Sequence, residues 1–163
     1  MEFYPSIITL HIIFAGMWLS SFVSHPFLKS TIIRNKNKNG EKKFIHLYLT
    51  FSSRLGMITS LGILITGIIM VSMNPGYGFF QMSANHWLAT KQIIMVAILV
   101  ILGAYIIPTS KKLRTVIGQD LDNNAPISEE GYKSLYKLFK LGTTIGILVL
   151  INFLLAITHI YFG

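Results

Sequence analysis

Cysteine is absent from this chain of 163 residues, and carboxylates are scarce: Glu2, Glu41, Asp120, Asp122, Glu129 and Glu130 are the only acids. The first absence excludes disulfides, thiolate metal ligands and a cysteine nucleophile. The second bears on transport. No carboxylate falls inside a long apolar run, which weakens any proton-coupled path built on membrane-embedded Asp or Glu. Basic residues are plentiful by contrast, and the formal net charge is +8. No stacking aromatics are interleaved with them, so nucleic acid is not an expected partner.

What the chain does have is apolar length. Hydrophobic residues make up 52% of it and the mean hydropathy is +0.59, high for a water-soluble domain. A bilayer span needs about 20 mostly apolar residues. Four runs qualify: 7–28, 55–73, 87–107 and 141–161. The expected fold is all-α, an integral membrane four-helix bundle forming a single domain over 1–163. The first run lacks a basic n-region and a small-residue cleavage pattern. It therefore reads as a retained span rather than a signal peptide.

The basic residues give the orientation. Lys29, Arg34, Lys36, Lys38, Lys42 and Lys43 lie between the first and second runs. Lys111, Lys112, Arg114, Lys133, Lys137 and Lys140 lie around the connection between the third and fourth. The middle connection, "NPGYGFFQMSANH", has none. By the positive-inside rule the two basic loops are cytoplasmic and both termini are outside. That is the topology of a multi-pass protein in a bacterial-type inner (plasma) membrane. The lipid bilayer is its first partner, with some contact to anionic lipid.

Local signals divide the chain further. Pro26 falls in the expected last turn of the first helix. "RNKNKNGEKK" is a polar loop, 44–53 an amphipathic lead-in, and "NPGYG" a turn ending the second helix. Trp87 anchors the third helix at the outer interface and Pro108 ends it. Ser128, before Glu129 and Glu130, is a candidate N-cap. Gly142 and Gly146 make a small-xxx-small pair, and Gly56, Ser60 and Gly67 lie near one face of the second helix. Whether the bundle is a homo-oligomer stays open.

Arg54 and Lys91 are the two cations outside the basic loops. A charge at the bilayer centre costs about 3 kcal/mol or more, so it snorkels, is neutralised or meets an anionic ligand. Reckoned by depth, His11, Lys91 and His159 come from three helices to the same outer level, with His86 just above and Asn152 on the inward face of the last helix. Imidazole is the commonest metal ligand and a haem axial ligand. A four-helix bundle builds cofactor sites between facing helices. Haem propionates would supply the anions that Lys91 and Arg54 lack. A second pair, His25 and His46, lies at the cytoplasmic level and would suit an inner haem. Copper is the competing metal, with Met17, Met70, Met73 and Met82 beside His11 and His86.

At "LHIIFAGMW", "SRLGMITSLGILITG" and "HWLATKQIIMVAIL" the chain resembles the HemJ family of four-helix membrane protoporphyrinogen oxidases and the related CopD-like membrane proteins. His11 matches the family's early histidine. Trp87, Leu88 and Lys91 match its third-helix motif, while Ala89 stands where that motif has a histidine. The resemblance implies His11 as a haem b ligand and Lys91 as an essential, catalytic partner near haem or substrate.

The expected function is a haem-b-binding redox protein of the inner membrane. His11 is one axial ligand, and His159 or His86 is the second. Lys91 or Arg54 pairs with haem or porphyrin carboxylates, and a quinone is one candidate acceptor. If it is an enzyme, it is an oxidoreductase of the protoporphyrinogen-oxidase type. The alternatives are a copper- or metal-handling protein or small-molecule transporter, and a structural membrane subunit.

Overall fold

The computed structural model describes residues 3–38, 40–122 and 126–162; the side chains of residues 121, 122 and 159–162 lie outside the described part. Among the described residues all regular structure is helical. α1 is Tyr4–Arg34, α2 Glu41–Met73, α3 His86–Val100, α4 Ile107–Asp122 and α5 Glu129–Phe162. A π-helical turn, Ile101–Ile106, joins α3 to α4 without a break. Four rods, with α3 and α4 counted as one, are long and apolar enough to cross a membrane.

The rods outrun the apolar runs at the basic end. α1 continues two turns past Pro26, and the 44–53 lead-in is continuous with α2. The polar loop shrinks to 35–40. The expectation that Pro108 ends the third helix is corrected: the rod passes through it. Proline lacks an N–H and its ring presses on the carbonyl four residues back. The π turn just before it widens the coil, with the Ile107 N–H bonding the Leu102 carbonyl five residues back. The missing bond is thus absorbed without a stop. Ser128 caps α5 as its sequence context suggests, its Oγ accepting the Gly131 N–H at 3.3 Å.

Two cores result. One lies within the apolar spans: Trp18, Met95, Ile98, Ile145 and Val149. The other is built by the extensions at the basic end, from Ile32, Ile45, Tyr48, Leu49, Leu113, Ile117, Leu135 and Phe139 among others. Burial of these apolar side chains holds that second core together. Polar ties lock it. Glu41, only 5% exposed, accepts the Asn37 N–H at 2.8 Å and the Tyr132 O–H at 2.7 Å. Partial burial, then the Glu41 carboxylate, push the Tyr132 phenol above its ordinary range. Lys36 sits 4.3 Å over the Tyr132 ring, and Lys42 Nζ donates to the Asp120 carbonyl at 3.0 Å. These ties bring the two basic connections to one end of the bundle. The exposed Lys112–Glu130 pair, 2.7 Å apart, adds little.

Glycines set the closest helix approaches. A β-carbon on Gly62 would strike the Phe14 ring, one on Gly142 the His25 ring, and one on Gly146 would come within 3.2 Å of Phe22. α1 therefore sits in a trough between α2 and α5. The rod of α3 and α4 packs chiefly on α5. Its thin contact with α2 leaves the loosest seam of the bundle there.

Candidate functional site

His11, Trp18 and His25 recur at seven-residue steps, so they share one face of α1. They define two polar layers with an apolar plug between them.

In the layer toward the 74–85 loop, His11 Nδ1 lies 2.8 Å from Thr66 Oγ1. The same hydroxyl is 2.6 Å from the Gly62 carbonyl, which can only accept. The Thr66 O–H therefore donates to Gly62, and its oxygen accepts from His11 Nδ1–H. This network assigns the proton to Nδ1 and leaves the Nε2 lone pair free for a ligand. Lys91 is near enough to act electrostatically on the His11 ring. Its ammonium stands 5.6 Å from the Trp87 ring centroid, and no described carboxylate pairs with it. Asn152 Nδ2 donates to the Lys91 carbonyl at 3.3 Å, while its buried Oδ1 has no described partner. The loop closes over this end: Gln92 Oε1 accepts the Phe80 N–H at 2.5 Å, and Tyr77 meets Trp87 edge-on.

The remaining candidates divide. The His159 side chain lies outside the described residues. His86 is exposed at the start of α3, and no described hydrogen bond links it to His11. Arg54 is exposed on α2, twelve residues and so about 18 Å from Thr66 along the axis. It does not share the His11 layer. Met17, Met73 and Met82 are exposed. Among the described residues no three His, Asp or Glu side chains converge as a metal site.

The layer toward the basic end holds His25. Its Nε2 is 3.1 Å from the Phe139 carbonyl, which fixes the proton on Nε2. Its Nδ1 is 3.4 Å from the Tyr48 hydroxyl. The pairing of His25 with His46 is not formed. Ile45, Tyr48 and Leu49 are the buried face of α2, and His46 points off it, exposed beside Thr50. Around His25 is a cavity of about 90 Å³ whose polar lining is Ser21, Ser24, Tyr48, Ser52, Ser53 and Ser110. Leu102 and Ile106 of the π turn form part of its wall. Between the layers lies the apolar cluster of Trp18, Met95, Ile98, Ile145 and Val149.

Sequence reasoning missed Thr66 as the orienter of His11, and missed the serine set altogether. The seven-residue recurrence on α1 was the available signal for two layers. No protein-family model matches the chain, and no curated protein or solved structure matches it either.

Proposed function

We propose that the protein is a multi-pass protein of a bacterial-type plasma membrane that binds haem b at His11 and works in redox chemistry. The basic end faces the cytoplasm and both termini lie outside, which follows from the charge distribution. The observation that carries the reading is the His11–Thr66–Gly62 chain of hydrogen bonds. A ligating histidine holds its other ring N–H on a fixed acceptor, and Thr66 supplies that acceptor.

The residues present fit the group. His11 Nε2 would offer its lone pair to the iron, and Lys91, with no described anion of its own, would offer a partner for a propionate or a porphyrin carboxylate. His159 or His86 is the second-ligand candidate. When bound, haem iron supplies one-electron exchange, which the surrounding polarity tunes. His11 would hold the iron, and Thr66 would hold the ring of His11. A quinone is a suitable acceptor for such a site.

The test is the absorption spectrum of the purified protein with and without added haem, beside His11→Ala. A Soret band lost in His11→Ala is expected. A colourless protein that takes up no haem would sink the reading. Retention in His11→Ala with loss in His159→Ala would move the ligand. Metal analysis of the same sample checks copper.

A further inference from the structure

The His25 cavity takes no part in the haem reading and lies about 21 Å along α1 from His11. Its depth is informative. The apolar runs end near residues 28, 55, 107 and 141, and the cavity is lined by Ser24, His25, Ser52, Ser53, Ser110 and Gly142. It therefore begins at the level where the apolar runs end on the basic side and reaches inward as far as Trp18 and Leu102. It lies on the loose seam between α2 and α4, where Ser53 faces Ser110.

Charge and shape are specific there. Arg114 lies one turn beyond Ser110 on α4, and its Nη2 donates to Ser53 Oγ at 3.4 Å. Lys29 lies one turn beyond His25, its ammonium 5.9 Å from the Phe139 ring centroid. The rim is cationic and the interior is uncharged, offering serine and tyrosine hydroxyls around the His25 ring. About 90 Å³ is smaller than a cavity that takes a benzene ring, about 150 Å³, and excludes a porphyrin or quinone ring. It suits a short hydroxylated chain. Gly142 is needed for His25 to lie where it does, and the π turn shapes the opposite wall.

We infer that this cavity binds the headgroup of an anionic, hydroxylated phospholipid, with the phosphate at Arg114 and Ser53 and the headgroup hydroxyls inside among Ser24, Ser110 and His25. The lipid enters sideways between α2 and α4. A cationic headgroup meets Arg114 and Lys29 and is disfavoured. The inference is independent of haem at His11.

The shared chemistry, a phosphate joined to a polyol, could also come from a soluble phosphate ester, and the experiment separates the two. Native mass spectrometry of the detergent-purified protein is run with phosphatidylglycerol, with phosphatidylcholine, and with glycerol 3-phosphate alone. Phosphatidylglycerol should be retained in preference to phosphatidylcholine. Arg114→Gln should lower that retention about fivefold, the value of one cation near an anionic surface. Ser110→Leu, which fills the cavity, should lower it at least as much, and Lys133→Gln, away from the cavity, should leave it unchanged. Should Ser110→Leu fail to fold, Ser110→Val is the substitute. Equal losses in Arg114→Gln and Lys133→Gln, equal retention of phosphatidylcholine, or binding of glycerol 3-phosphate as strong as that of the lipid would each overturn the proposal.

Discussion

At the scale of the residue, the decisive feature is how a hydroxyl directs an imidazole. Thr66 bonds back to Gly62 and so can only accept from His11. Thr66→Val keeps the shape and removes the acceptor. Haem affinity should fall about tenfold or more, the usual cost of losing an outer-shell partner, read from titration of the Soret band with haem. Unchanged affinity would show that His11 is not held for ligation. Glu41 is the corresponding residue at the basic end. Glu41→Ala strands the Asn37 N–H and leaves the Tyr132 O–H only its longer bond to Asn37 Oδ1 at 3.3 Å, and should destabilise the protein by about 2 kcal/mol. Glu41→Gln should recover much of that, both changes being measured as Tm in detergent. Neither role was legible in the sequence. Thr66 stood out in the sequence only as a polar residue of a candidate path through the bilayer, and Glu41 as a loop carboxylate. Their partners are 55 and 91 residues away.

At the scale of the element, glycine spacing and proline placement decide how the rods run. Gly142 and Gly146 were legible as a close-packing pair, and they do face α1. What they admit, the His25 ring and Phe22, was not legible, because the register of α1 against α5 is a tertiary fact. Gly142→Ala should push His25 off the Phe139 carbonyl and cost about 1–3 kcal/mol through overpacking. Gly118→Ala, where a β-carbon meets nothing within 4 Å, should gain up to about 1 kcal/mol from helix propensity. Thermal unfolding of the pair checks both signs, and equal behaviour would contradict the packing described. Pro108 carries the opposite lesson. Its local rule predicts an end, but a π turn before it lets the rod continue and carry Leu113, Ile117 and Arg114 to their places.

For the whole molecule, the division between lipid and water organises everything else. Inside the spans, helices meet through small residues and a thin apolar plug. Beyond the apolar runs, the extensions form a second apolar core near the basic connections. The absence of cysteine makes the topology directly measurable. Ser83→Cys, in the 74–85 loop, should react with an impermeant thiol reagent from outside intact cells. Lys133→Cys should react only after the membrane is opened. The reverse pattern would invert the proposed orientation.

The sequence by itself determined the number of spans, their approximate positions and the segregation of charge, because those depend on running composition and on the length needed to cross a bilayer. It also singled out His11 and Lys91, since a polar group in an apolar run is conspicuous without coordinates. The tertiary structure decided the rest. It oriented His11 through Thr66, separated His25 from His46 and assembled six scattered hydroxyls around one cavity. Each depends on which faces of different helices meet. That is fixed by close glycine contacts and buried polar bonds between residues far apart in the chain.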